Sequence, residues 1–131
     1  MRHFMRRVAV PTLCCILTLT RFRVFFFFGY VPSSSMEPTI RQGTFILADR
    51  TAYWSAQPKI GDIIVFSHDG KALVKRVAAV AGDAVQTQNG FETVPIGMLF
   101  LVGDNVEASI DSRLWADPFV PVEDVLARYY K

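Results

Sequence analysis

The 131-residue chain has few of the side chains on which most hydrolases and metal sites depend, with only two histidines and two cysteines. His3 lies in the basic N-terminal segment, and His68 lies beside Asp69 in a predicted hairpin turn. A Ser-His-Asp triad needs a well-placed histidine, so His68 is a weak candidate base. The sequence also lacks a Gly-rich phosphate loop, an H-E-x-x-H motif and a Cys/His cluster. We therefore expect no cofactor and no metal site.

Both cysteines, Cys14 and Cys15, stand next to each other in an apolar run. A disulfide between adjacent residues is strained, and two thiols alone make a poor metal site. We interpret them as thiols buried in a membrane.

Acidic residues are absent from the first 29 positions, which carry five arginines. The remainder has nine basic and twelve acidic residues, a formal charge of −3. A mildly acidic body argues against nucleic acid as a partner. The length corresponds to a single domain, for which we expect one active site.

The N-terminal segment contains two apolar runs separated by Arg21 and Arg23. Neither run alone reaches the roughly 20 apolar residues that a spanning helix needs. A cleaved signal peptide fits the basic start, but an Ala-x-Ala type cleavage site is missing near Thr20. A surface-lying helix needs a polar face, which this segment lacks. The favoured interpretation is an uncleaved anchor that begins near Val8, tolerates Pro11 and lets both arginines reach the far interface.

Such an anchor implies an orientation and a division of the chain. Arg2, Arg6 and Arg7 favour a cytoplasmic N-terminus. Residues 1–23 are then a cytoplasmic tail and anchor, and residues 24–131 an extracytoplasmic catalytic domain. The expected location is the inner (cytoplasmic) cell membrane, crossed once. The phenylalanine run at 25–28 fits either a buried strand or one that contacts the membrane.

Beyond Tyr30 the pattern predicts a mainly β fold. Short apolar runs alternate with turn residues, and S-H-D-G at 67–70 and Q-N-G at 88–90 predict hairpin turns. The only helical signal is a short turn at 122–126. The predicted strands are F-I-L-A near Phe45, D-I-I-V-F from Asp62, A-L-V-K-R-V-A-A-V from Ala72, A-V-Q-T-Q from Ala84 and M-L-F-L-V from Met98.

A serine nucleophile without histidine needs another base, and a lysine serves if it is neutral. Three of the four lysines, Lys59, Lys71 and Lys131, lie in loops, after a turn or at the terminus, where water keeps them charged. Lys75 lies within a predicted strand, where a period of two gives it only apolar neighbours on its own face. The alternative is a lysine that extends over a strand edge into solvent.

Four segments resemble, in order, the motif boxes of type I signal peptidases, the Ser/Lys dyad membrane peptidases of the S26 family. They are S-S-S-M-E-P-T-I at 33–40, G-D-I-I-V-F at 61–66, V-K-R-V-A-A-V-A-G-D at 74–83 and G-D-N-V-E-A-S-I-D-S-R at 103–113. The resemblance implies a fold of coiled antiparallel sheets shared with repressor-cleavage proteins. It also implies a serine endopeptidase that removes signal peptides from exported preproteins.

The resemblance assigns roles to the residues of these boxes. Ser35, immediately before the methionine, matches the nucleophile, and Ser33 matches the serine whose hydroxyl serves the oxyanion hole. Lys75 matches the general base, so the resemblance and the strand periodicity select the same lysine.

The last box supplies the supporting residues. Ser109 matches the serine that orients the lysine amine, and Asp111 and Arg113 match a structural ion pair. The family commonly reads G-D-N-R-D-N-S here, so the segment 106–108, V-E-A, departs from the pattern. The short segment between Lys75 and Asp104 lacks the large β insertion of some relatives.

The implied substrate binds as an extended strand and is cut after small residues, which enter two shallow pockets. The candidate lining residues are Val31, Met36, Ile40 and Leu73. The expected partners are preprotein signal peptides and membrane lipid. A dedicated maturation peptidase of a conjugation or pilus system, a mitochondrial inner-membrane peptidase, or an inactive peptide-binding scaffold remain alternatives.

Overall fold

The computed structural model describes residues 2–131, with side chains described from Arg7 onward. His3 and the side chains of Arg2 and Arg6, which bear on the expected orientation, lie outside the described side chains. Helix α1 (Arg2–Phe25) is continuous and contains Pro11. It ends two residues after the boundary expected at Arg23.

Helix α1 is an apolar helix that packs against little of the protein. Residues Arg7–Phe25 have a mean hydropathy of 1.6, and none of this segment is buried inside the protein. Its length and composition suffice to cross a membrane. Thr12, Thr18 and Thr20 donate their hydroxyls to carbonyls one turn earlier, at 2.7–2.8 Å. These polar groups are therefore satisfied within the helix itself.

The rest of the chain forms nine strands, which confirms the prediction of a mainly β fold. A short 3₁₀ turn (Val122–Asp124) precedes the last strand. The strands are β1 (Phe26–Tyr30), β2 (Phe45–Asp49), β3 (Ile63–His68), β4 (Lys71–Val80), β5 (Ala84–Thr87), β6 (Gly90–Thr93), β7 (Met98–Val102), β8 (Phe119–Pro121) and β9 (Val125–Tyr129).

Seven strands form one antiparallel sheet in the order β1-β2-β9-β3-β4-β7-β8, and β5 and β6 form a separate hairpin. The hairpin turn predicted at 67–70 is present, with His68 opposite Lys71 and positive φ at Asp69 and Gly70. The turn predicted near Gly90 joins β5 to β6, with Thr87 opposite Gly90. In the β3–β4 turn, the positive φ angles of Asp69 and Gly70 are those that a tight two-residue hairpin with right-handed twist requires.

The core lies on the inner surface of the curled sheet in three clusters. The first contains Val31, Met36 and Ile40 from the segment after β1, packed on β2, β3 and β9. The second is built around Ile64, Phe66 and Val77, and the third lies beneath the β5–β6 hairpin. The first three of these apolar residues flank residues 33–35, the serine segment, and therefore anchor it to the sheet.

Candidate active site

A cavity of about 320 Å³ lies between the segment that follows β1 and the first half of β4. Most of its lining is aliphatic, with a few hydroxyl groups and one amine. It contains both members of the candidate dyad. The lining residues are Tyr30, Val31, Pro32, Ser33, Ser35, Met36, Ala72, Leu73, Val74, Lys75, Ala108 and Ile110.

The backbone carbonyls of the serine segment accept hydrogen bonds from Asn105 in the loop after β7. The Asn105 amide N–H donates to the Ser35 carbonyl at 3.0 Å, and Asn105 Nδ2 donates to the Ser34 carbonyl at 3.2 Å. Ser35 is only 7% exposed, while Ser33 is exposed. Their hydroxyl oxygens lie 3.2 Å apart. One asparagine thus fixes the position of the residues that present both hydroxyls.

Lys75 is 4% exposed on β4 and its amine faces the cavity. Burial lowers the pKa of this amine, and Arg113 lowers it further, whereas the Asp111 carboxylate opposes the shift. Nζ donates to Ser109 Oγ at 2.9 Å. Among the described residues no hydrogen bond joins Nζ to Ser35 Oγ, although both residues line the same cavity.

Asp111 is the centre of the supporting network and is 0% exposed. It accepts hydrogen bonds from Arg113 Nε and Nη2 (2.8 and 2.6 Å), the Gly103 amide (2.8 Å) and Ser109 Oγ (2.5 Å). Burial opposes the negative charge, but these hydrogen bonds outweigh it and lower the pKa of Asp111 to about 2. The carboxylate therefore stays ionised at neutral pH and orients the Ser109 hydroxyl toward itself.

Gly103 allows these parts to come together, a role that the sequence did not reveal. A Cβ at this position would overlap Ser109 Oγ and would lie 2.5 Å from the Ser35 carbonyl oxygen. The glycine is thus the point where the serine segment, Ser109 and Asp111 meet. Gly103 and Asn105 belong to the fourth motif box, but the sequence does not indicate their contacts, which depend on the fold.

The structure brings three of the four candidate pocket residues to the cavity. Val31, Met36 and Leu73 line it, whereas Ile40 lies in the first core cluster at 3% exposure and is not part of the lining. Ile40 faces inward because its side chain packs with Val31 and Met36 against β2, β3 and β9. Ala108, from the unusual segment 106–108, is part of the lining.

His68 lies away from this cavity. It stacks on Trp115 with ring centroids 4.1 Å apart, and Nε2 lies 3.7 Å from the Asp69 carboxylate. It is not among the residues that line the cavity. Its position at the end of β3 favours a packing role.

The comparisons with known proteins agree with the motif boxes. The family described as signal peptidase, peptidase S26, matches residues 3–91 and 86–130. A probable signal peptidase I-1 of Synechocystis sp. is 31% identical over 89% of this chain and 76% of its own length. A thylakoidal processing peptidase 1 of Arabidopsis thaliana is 26% identical over 75% of this chain and 39% of its own length.

A probable signal peptidase I-2 of Synechocystis sp. is 30% identical over 77% of the chain and 60% of its own length. The chain thus spans less than two thirds of two of these three relatives. The family match itself extends over nearly all of the described residues. The chain belongs to the signal peptidase family, peptidase S26.

Proposed function

We propose that this protein is a membrane-anchored serine endopeptidase that removes signal peptides from exported preproteins through a Ser35/Lys75 dyad. One observation carries the proposal: a buried serine and a buried lysine with a lowered pKa line the same cavity. A lysine amine activates a hydroxyl only when it is uncharged, and this cavity favours the uncharged form.

The hydrogen-bond directions around Lys75 support its role as the base. Ser109 Oγ donates its proton to Asp111, so its lone pairs accept an N–H from Lys75. A neutral amine has one lone pair, and the bond to Ser109 uses a proton and leaves that pair free. The free pair then accepts the Ser35 proton as Oγ attacks the peptide carbonyl. The same amine later activates water to hydrolyse the acyl-enzyme.

We assign two groups to bind the oxyanion of the tetrahedral intermediate. The Ser33 hydroxyl lies 3.2 Å from Ser35 Oγ, and the Ser35 amide N–H is the second donor in this assignment. A preorganised donor of this kind contributes about 3 kcal/mol to transition-state stabilisation. Ser33 is exposed and lines the cavity, so its hydroxyl is accessible to a bound substrate carbonyl.

The free edge of β4 supports binding of the substrate as an added strand. Residues 71–76 of β4 pair with β3 on one side, but β7 pairs with β4 only from Arg76 onward. In the described chain the other side of residues 71–75 therefore has no strand partner, and Ala72, Leu73 and Val74 line the cavity. An unpaired edge accepts main-chain hydrogen bonds from many different sequences.

The shape of this cavity supports small side chains next to the cleaved bond. Its aliphatic lining comes from Val31, Met36 and Leu73, and the unusual segment contributes Ala108. Shallow apolar pockets favour small residues because larger ones clash with packed walls.

We further propose that the catalytic domain lies on the extracytoplasmic side of the cytoplasmic membrane. The proposed membrane association rests on helix α1. Strands β1 and β2, which follow this helix, carry exposed aromatic side chains on their outward face. Phe28 stacks on Phe45 (5.3 Å between centroids), and Tyr30 packs on the same ring. A contiguous exposed aromatic surface beside an apolar helix fits the membrane interface.

Cleavage of an exported precursor by the purified full-length chain tests the dyad. We expect Ser35→Ala and Lys75→Ala to abolish cleavage, and Lys75→Arg to do the same because a guanidinium stays charged. Ser34→Ala is the matched control, since it removes a neighbouring hydroxyl that makes no described side-chain hydrogen bond. His68→Ala should also retain activity. Cleavage by folded Lys75→Arg, or its loss in Ser34→Ala, contradicts the assignment.

A further inference from the structure

A second cavity, distinct from the candidate active site, lies where α1 passes into β1. Its volume is about 410 Å³, and its lining consists only of phenylalanine and arginine. Four phenylalanines, 22 and 26–28, surround Arg23 and Arg50. Two cations in an aromatic setting, at the end of an apolar helix, are the composition expected of a group that meets lipid headgroups.

Arg50 is built into this junction by three contacts. Its backbone amide donates to the Phe25 carbonyl at the end of α1 (2.8 Å), and Nε donates to the Phe26 carbonyl (3.3 Å). The guanidinium carbon lies 5.4 Å from the centroid of the Phe27 ring. These contacts hold the guanidinium plane in place and use one of its five N–H donors. The remaining donors are available to a ligand.

The charge at this cavity is not balanced by nearby acids. Neither Arg23 nor Arg50 forms an ion pair with an acidic residue in the described part of the chain. Asp49, opposite Phe26 in the sheet, accepts hydrogen bonds from the Thr51 amide and hydroxyl at 2.7 Å each. Glu123 lines the adjoining cavity with Arg50 but forms no ion pair with it among the described residues. An anion is therefore the complementary ligand.

We propose that Arg23 and Arg50 bind the phosphate of an anionic phospholipid headgroup, with the surrounding phenylalanines against its glycerol and upper acyl chains. Guanidinium groups bind phosphate through paired hydrogen bonds, which favours them over other cations for this task. The site rests on the membrane placement of α1 and does not depend on the peptidase activity. It fixes the height of the β domain above the bilayer, because Arg50 directly follows strand β2 of the sheet and Arg23 belongs to the anchor helix.

The test uses lipid quenching of Trp54, which lines the adjoining cavity and lies 6.1 Å from Phe25 between ring centroids. The chain has two tryptophans, so Trp115→Phe leaves Trp54 as the single reporter. The full-length variant is placed in phosphatidylcholine nanodiscs with a minor fraction of phosphatidylglycerol. The quenching label is carried either by phosphatidylglycerol or, at equal amount, by phosphatidylcholine. We expect labelled phosphatidylglycerol to quench more strongly.

Removal of either arginine should reduce this preference. We expect Arg23→Gln or Arg50→Gln to lower it about fivefold, the effect of one cation near an anionic surface. Arg21→Gln is the matched control, since it removes the same charge from the same helix but does not line the cavity. Thermal unfolding of each variant verifies that it is folded. Arg50→Lys keeps the positive charge but cannot form the paired hydrogen bonds of a guanidinium with phosphate. We expect Arg50→Lys to show an intermediate preference.

Three results overturn the proposal. Equal quenching by both labelled lipids means that no headgroup is selected. An equal loss in Arg21→Gln means that diffuse surface charge, not a site, attracts the lipid. Abolition of the preference by added glycerol phosphate means that a soluble phosphate ester is the occupant. Because the readout is fluorescence, failure here leaves the cleavage assay of the dyad variants as an independent test of the proposed function.

Discussion

Replacing Arg113 with Met is expected to destabilise the protein by about 3 kcal/mol. The substitution keeps much of the side-chain volume but leaves the fully buried Asp111 carboxylate without its counter-charge. Breaking a buried pair from one side typically costs about 3–5 kcal/mol. The lower end applies here, because Gly103 and Ser109 still donate to Asp111 and Arg113 is partly exposed.

The pH dependence of stability gives a second measure of the same network. The pKa of Asp111 lies at about 2, below its ordinary value of 3.8. A lowered folded-state pKa adds stability above the unfolded value, here about 2 kcal/mol above pH 4, which is lost as the pH falls toward 2. In Arg113→Met, burial favours the protonated form of Asp111. The decrease in the free energy of unfolding between pH 4 and pH 2 should therefore disappear in this variant.

Urea unfolding of the full chain in detergent micelles, followed by tryptophan fluorescence, measures both effects. Arg41→Met is the control, because Arg41 is exposed and forms no ion pair in the described chain. It should change the free energy of unfolding by less than about 0.5 kcal/mol. If Arg113→Met is no less stable than this control, or shows the same acid loss as the parent protein, Asp111 is not a buried carboxylate held by Arg113.

Three further substitutions test the parts of the site separately. Ser33→Ala should lower kcat about 10²- to 10³-fold with little change in KM, because it removes one oxyanion donor; an unchanged kcat excludes that role. Ser109→Ala should lower kcat more than it raises KM, since the amine of Lys75 loses the hydroxyl that orients it; a change in KM alone indicates a binding role. Gly103→Ala should destabilise the fold by about 1–3 kcal/mol through overpacking, seen as a lower urea midpoint, and a neutral result contradicts the close approach to Ser109.

Local pattern predicted much of the fold because several signals act over short distances. Apolar runs and turn residues indicated β2 to β5 and β7, and the tight turn at Asp69–Gly70 follows from residues that tolerate positive φ. The period of two along β4 also singled out Lys75, which the structure buries at the cavity. The sequence distinguishes Lys75 as the candidate base because it has apolar neighbours, whereas the other three lysines lie in hydrated positions.

Other features depend on contacts between distant residues. The sequence indicated a short helical turn at 122–126, but a 3₁₀ turn ends at Asp124 and β9 follows as a strand between β2 and β3. Its Arg128 pairs with the buried Asp62, a partner that no local pattern reveals. The contacts of Gly103 and Asn105 likewise appear only when the serine segment packs on the loop after β7. The inward position of Ile40 depends on its packing against β2, β3 and β9.

Direct titration of the Lys75 amine is the most decisive measurement. The full-length chain is labelled at the lysine side chains for NMR, and Lys75→Arg identifies the signal among four lysines. We predict that the pKa of the Lys75 amine lies below the ordinary value for a lysine, because burial disfavours its charge. If the pKa of Lys75 is not below the ordinary value for a lysine, the amine is charged in the cavity and cannot be the base.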